Sequence, residues 1–151
     1  MSAPIRILIV DDAATVRMYH RKILLDAGWQ VEEACNGVEA LERVHVHDGE
    51  GGYDFYVVDV NMPRLDGYSF VRELRRLGDA YQAPVLMVST EARRGDTSAA
   101  FAAGANGYLV KPASPPELVM TAALLLGQGE TALAAAARFA PARAATPGVA
   151  R

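Results

Sequence analysis

The sequence predicts an α/β protein: a parallel sheet with helices layered on both faces. Two observations carry that expectation. Short apolar runs alternate five times with stretches of helical periodicity. The runs are also near-continuous in apolar character and end on polar side chains, as parallel strands covered on both faces do.

In chain order, Ile5 to Val10 is the first apolar run, and Asp11 and Asp12 follow at once. From Ala14 to Ala27, Val16, Tyr19, Ile23, Leu24 and Ala27 recur at helical spacing, with Gly28 placed for a left-handed cap. Gln30 to Ala34 is a second strand, and Asn36-Gly37 turns into a helix carrying Val38, Leu41 and Val44. That helix runs out in Asp48-Gly49-Glu50-Gly51-Gly52. The third strand, Asp54 onward, is rich in aromatic and β-branched residues and ends on Asp59, with Pro63 and Gly67 beyond it. Phe70, Leu74 and Leu77 mark a third helix, and Val85 to Val88 a fourth strand closing on Ser89. A helix over about 96–103 and a strand Gly107 to Val110, ending in Lys111-Pro112, come next. Ser114-Pro115-Pro116-Glu117 then opens a last helix with a Ser cap, Pro at its first position and Glu near N3.

Beyond about residue 127 the composition changes. Gly127-Gln128-Gly129 breaks the helix, and an alanine-rich stretch from Thr131 to Ala140 precedes Pro141 and Pro147. The expected organisation is one domain over 1–127 and an alanine-rich tail over 128–151, with no separate output domain. The tail reads as frayed and solvent-exposed; the alternative is a helix that docks through Leu133 and Phe139.

At 151 residues with 51% hydrophobic composition, the chain is large enough to bury a core. A net charge of −3 with scattered Lys and Arg argues against a nucleic-acid-binding face. The single cysteine, Cys35, excludes an internal disulfide and reads as a small buried residue. No signal peptide or membrane span is expected, and the predicted location is cytoplasmic.

Chemistry gathers where the strands end. In a parallel sheet all carboxyl ends share one edge, so Asp11, Asp12, Asp59, Ser89 and Lys111 meet in one crevice. Carboxylates a few ångströms apart repel by ~1–4 kcal/mol per pair at effective dielectrics of 80 to 20, and a hard divalent cation removes that cost. Mg²⁺ suits carboxylates supplemented by a carbonyl and waters. Cation and Lys111 would then accept a phosphoryl group, with Asp59 as nucleophile and Ser89 as a hydrogen-bond donor to it. Other uses of such a sheet fit less well. Asp11-Asp12-Ala13-Ala14-Thr15 is no flavin phosphate loop, and neither Gly-x-Gly-x-x-Gly nor Gly-Lys-Ser/Thr follows the first strand. Asp59-Val60-Asn61 lacks the second acid of an Asp-x-Asp phosphatase.

Asp11-Asp12, the run Asp59-Val60-Asn61-Met62-Pro63-Arg64-Leu65-Asp66-Gly67, Ser89, and Gly107-Tyr108-Leu109-Val110-Lys111-Pro112 together resemble a receiver domain of bacterial two-component signalling. The resemblance spans about 5–127 and is strongest to CheY-like single-domain chemotaxis regulators. It implies a flavodoxin-like five-stranded sheet in the order 2-1-3-4-5. It further implies Asp59 as phosphoacceptor, and Mg²⁺ held by Asp11, Asp12, Asp59 and the Asn61 backbone carbonyl. Lys111 would contact the phosphoryl group before an often-cis bond to Pro112. Ser89 and Tyr108 would form the switch, and Asn61 and Glu91 would tune phosphoryl lifetime. Thr90 departs from the smaller alanine of near relatives.

The implied function is a response regulator phosphorylated by a sensor histidine kinase, which switches affinity for a partner in chemotaxis. A flagellar motor switch protein and a phosphatase are the implied partners. A phosphorelay shuttle, a phosphate sink or a non-motility regulator is the alternative. The chain is expected to be a monomer and not an enzyme beyond handling its own phosphoryl group. An output face of Arg93, Arg94, Tyr108 and Lys111 is expected. His45 and His47, two apart, diverge on a helix and read as solvated, and Trp29 reads as packing.

Overall fold

The computed structural model describes residues 4–46, 52–78, 81–91 and 94–139. Its elements are β1 (Arg6–Val10), α1 (Ala14–Asp26), β2 (Gln30–Ala34), α2 (Gly37–Val46), β3 (Phe55–Asp59) and α3 (Gly67–Arg76). They continue with β4 (Val85–Ser89), α4 (Arg94–Ala103), β5 (Gly107–Val110), α5 (Pro115–Leu125) and α6 (Gly129–Phe139). All pairings are parallel and the strand order is β2-β1-β3-β4-β5, the expected flavodoxin-like sheet.

Strand periodicity divides the core in two. On one face Leu8 and Val10, Tyr56 and Val58, and Val85 and Met87 meet Ala40 and Val44 of α2, Phe70, Val71 and Leu74 of α3, and Ala100 of α4. On the other, Ile7 and Ile9, Phe55 and Val57, and Leu86 and Val88 meet Ile23 and Leu24 of α1 and Leu118, Val119, Ala122 and Ala123 of α5. Successive residues of each central strand therefore serve opposite layers, which explains the unbroken apolar runs.

Local signals fix the helix ends. Asp66 caps α3 by accepting from the Ser69 N–H at 2.8 Å. Ser114 and Glu117 form a reciprocal capping box at α5, with Pro115 at its first position. Gly28 takes φ +98° after α1, a conformation that a side chain would oppose. Asp12 does not cap α1, whose N-cap is Ala13 without a side-chain bond.

Over residues 128–139 the chain differs from the frayed tail expected of it, while 140–151 lie outside the described residues. α6 folds back onto α5, and Ala132 is buried in the α1–α5 core layer. The Gln128 N–H donates to the Ala123 carbonyl at 2.7 Å, and the Trp29 indole N–H donates to Gln128 Oε1 at 3.2 Å. Alanine's small side chain is the physical reason: it lets a helix approach α5 closely where a larger residue would hold it off. The docking residue is not Leu133, which is 74% exposed; the Phe139 side chain lies outside the described residues.

Two smaller readings also change or find support. Cys35 is exposed rather than buried, its thiol donating to Glu39 Oε2 at 2.8 Å, because it lies past the end of β2. Trp29 is buried as packing, His45 is exposed, and His47 lies outside the described residues.

Candidate functional site

Four strand ends build the site. β1 delivers Asp11, β3 ends on Asp59, β4 ends on Ser89, and β5 leads to Lys111. The register sets Asp59 beside Val88 and Ser89 beside Val110, so these positions line up along one edge. Ligand-capable oxygens of Asp11, Asp12 and Asp59 all lie within 4.8 Å of one another. Asp11 and Asp59 are 1% and 5% exposed, while Asp12 faces solvent.

Lys111 ties this group together. Its ammonium donates to Asp11 Oδ2 at 2.8 Å and to Asp59 Oδ1 at 3.1 Å. The Lys111–Pro112 peptide is cis. Burial by itself lowers the Lys111 pKa, but hydrogen bonds to Asp11 and Asp59 and their charges outweigh it, so the net shift is upward. Asp59 moves from its ordinary 3.8 to about 6, first because it is buried and second because Asp11 lies beside it; Lys111 offsets only part of this.

That balance is the test for a metal. Three carboxylates gather where one lysine bonds two of them, and burial holds Asp59 in a range where its charge is costly. An all-oxygen donor set with one solvent-facing acid fits a hard divalent cation that keeps some of its waters.

The predicted switch residues meet through one backbone. Ser89 is fully buried, and its Oγ accepts from the Glu91 N–H at 3.0 Å. The Tyr108 hydroxyl donates to the Glu91 carbonyl at 2.7 Å. Glu91 thus links the end of β4 to β5. Asn61 is exposed at the start of the loop after β3. Of the expected output face, Tyr108 is half-buried and Lys111 points at the acids; Arg93 and the Arg94 side chain lie outside the described residues.

Three neighbours of the site were given no role in the sequence. The Arg17 guanidinium donates to the Asp11 carbonyl at 2.7 Å and pairs with Glu33 at 3.1 Å, fixing the backbone of the acid pair from α1. Gly67 packs so closely on the carbonyl of Asp59 that a Cβ there would overlap it. His20 is buried on α1 beside Lys111 and Pro112. Only Gly67 carried a legible signal, a glycine shortly after the Asp59 strand. The other two depend on how α1 rotates over the sheet.

Comparison with known proteins agrees with this geometry. The family model described as "Response regulator receiver domain" matches residues 7–123. The chain is 42% identical over 108 residues to chemotaxis protein CheY of Pseudomonas aeruginosa, covering 71% of this chain and 84% of that one. It is 39% identical over 108 residues to CheY-3 of Vibrio cholerae, covering 71% and 80%. Among solved structures, CheY4 of Vibrio cholerae superposes with a TM-score of 0.72 at 37% identity, over 79% of this chain and 96% of that one. A CheY-like receiver domain protein of Methanospirillum hungatei gives 0.75 at 25% identity, over 85% and 98%. With the matched region spanning the strands that carry Asp11, Asp59, Ser89 and Lys111, the chain belongs to the response regulator receiver domain family.

Proposed function

We propose that this chain is a response regulator whose Asp59 takes a phosphoryl group from the phosphohistidine of a sensor histidine kinase in a Mg²⁺-dependent reaction. The phosphorylated form then gains affinity for a partner in chemotaxis, with the flagellar motor switch as that partner. The observation that carries the reading is the Lys111 ammonium bridging Asp11 and Asp59.

An Asp59 oxygen attacks phosphorus, the P–N bond breaks, and its electron pair leaves with the imidazole. The product is an acyl phosphate on Asp59. Asp11, Asp12 and Asp59, with the Asn61 carbonyl, would hold Mg²⁺, which when bound supplies positive charge opposite the phosphoryl oxygens. Lys111, already within hydrogen-bond distance of Asp59, would pass one donor to a phosphoryl oxygen. Ser89 would leave the Glu91 N–H to donate to another, and Tyr108, bonded to the same residue, would repack with it. Asn61 and Glu91, at the mouth of the site, would set how readily water reaches the acyl phosphate. Turnover is confined to the chain's own aspartyl phosphate.

The chemotaxis assignment is supported by the relatives named chemotaxis proteins and by the pairing of Asn61 with Glu91. Radiolabel from a small phosphodonor with Mg²⁺ should enter the full chain and be absent from Asp59→Asn. Uptake by that variant would show another acceptor. Loss of chemotaxis in a strain carrying Asp59→Asn is the expected cellular result, and normal chemotaxis would remove the motility reading. Transfer to a histidine phosphotransfer protein would then favour a relay.

A further inference from the structure

Asp11 is held by every polar group it has. Its N–H donates to the Ala34 carbonyl at 3.1 Å, and its Oδ1 accepts from the Ala13 N–H at 2.9 Å. Its Oδ2 takes Lys111 at 2.8 Å, and its carbonyl accepts from Arg17 Nη1 at 2.7 Å. Asp12 differs: it is exposed, yet one of its carboxylate oxygens lies within 4.8 Å of those of Asp11 and Asp59. Like charge pushes that carboxylate away from the other two acids. Arg17 reaches the peptide between Asp11 and Asp12 as a fork. While Nη1 bonds the Asp11 carbonyl, Nε pairs with Glu33 Oε1 at 3.1 Å, and Arg21 Nη1 takes Glu33 Oε2 at 2.9 Å. Glu33 of β2 thereby anchors the Arg17 guanidinium to the sheet.

We propose that Arg17 is a positioning residue for the cation site: its fork sets the Asp11–Asp12 peptide so that Asp12 meets the same divalent cation as Asp11 and Asp59. A peptide is planar, so fixing its carbonyl fixes the plane from which the next residue's Cα departs. With that plane free, repulsion would carry the Asp12 carboxylate into water, and a cation would have to draw it back. The inference rests on the Mg²⁺ reading of the acids, and charge alone predicts the opposite of it. Arg17 is a cation beside a cation site, so its loss should tighten Mg²⁺ by electrostatics. Positioning demands the reverse, because groups that orient metal ligands typically contribute about ten- to a hundredfold in affinity.

Mg²⁺ is titrated into the ¹⁵N-labelled full chain at fixed ionic strength, and the Asp12, Ala13 and Asn61 amide shifts report its Kd in the folded chain. Urea melts record stability separately. Arg17→Met should bind Mg²⁺ about tenfold more weakly than wild type. Arg21→Met removes the same charge from the same glutamate without touching Asp11, and should bind no more weakly than wild type. Arg17→Lys keeps the charge but not the fork. Drawn to Glu33, its single ammonium should leave the Asp11 carbonyl, with a loss of about threefold. That variant retains the ion pair and serves where Arg17→Met does not fold. A Kd unchanged or tightened in Arg17→Met, whatever its stability, would overturn the proposal, since Arg17 would then hold the fold and not the ligands. Wild-type affinity in Arg17→Lys, or equal weakening in Arg21→Met, would overturn it too. No saturable shift in the wild-type chain would instead overturn the Mg²⁺ reading itself, and this proposal with it.

Discussion

The Lys111 ammonium donates to Asp59 Oδ1 at 3.1 Å while holding Asp11 Oδ2 at 2.8 Å, so one cation compensates two buried acids. The Lys111 side chain is only 13% exposed, and those of Asp11 and Asp59 are 1% and 7%, which removes most solvent screening. Removing one partner of such a group leaves charge without compensation. Lys111→Met should lower metal-free stability by about 2–4 kcal/mol. Millimolar Mg²⁺ should recover a good part of that loss in urea melts, because the cation would meet the same acids.

Asp59 supplies the complementary prediction. Its folded pKa of about 6 lies above its ordinary 3.8, so between these values the folded chain holds more protons than the unfolded chain. Stability contributed by this group therefore falls as pH rises through that window, and the penalty is complete above about 6. In metal-free buffer near neutrality, Asp59→Asn should raise unfolding free energy by about 1–3 kcal/mol. Urea melts should show the gain shrink toward pH 4, where the wild-type carboxyl is protonated as well.

Gly67 makes a steric prediction. A Cβ there would overlap the Asp59 carbonyl and approach Met87 Cε to 2.8 Å. The carbonyl is backbone and has little room to give, unlike the end of a methionine. Gly67→Ala should cost about 3 kcal/mol or more, or yield insoluble chain. Wild-type stability in this variant, measured by thermal melting, would show that the loop can shift without cost.

The acid cluster was legible in the sequence because it depends on topology alone. Once strands end at Asp11, Asp59, Ser89 and before Lys111, a parallel sheet must bring them to one edge. What stayed illegible depends on side-chain direction and on packing between distant elements. Asp12 and Asp11 are neighbours in sequence, yet one is exposed and the other buried. His20 falls on the helical face that turns toward Lys111, which periodicity cannot distinguish from its apolar neighbours. The alanine-rich segment has helix propensity, but whether it docks is decided by the shape of α5 and by Trp29, neither of which local composition encodes.

α6 can be tested through Trp29, the chain's single tryptophan, which is 6% exposed and hydrogen-bonded to Gln128. Ala132→Asp places a carboxylate in the α1–α5 layer without a designed partner. It should destabilise the chain by about 1–3 kcal/mol and shift tryptophan emission to the red as α6 lifts. Unchanged emission and stability would mean that α6 contributes nothing to covering Trp29.

His20 gives a pH dependence of opposite sign to that of Asp59. Burial is the chief cause that holds the imidazole below its ordinary 6.5; Asp11 opposes the shift and Lys111 adds to it. As pH falls through 6.5, the unfolded chain takes up a proton that the folded chain still refuses. Stability contributed by this group is therefore present above 6.5 and lost as pH falls toward the folded pKa. Over part of that range Asp59 becomes protonated and stabilises the fold, so the wild-type curve alone confounds two effects. The difference between wild type and His20→Leu isolates one of them, because both chains keep Asp59. That difference should move in favour of His20→Leu as pH falls from about 7.5 to about 5.5, as measured by urea midpoints at fixed ionic strength. A constant difference across that range would mean that His20 protonates in the folded chain as readily as in the unfolded one, through a partner that its buried Nδ1 does not have here.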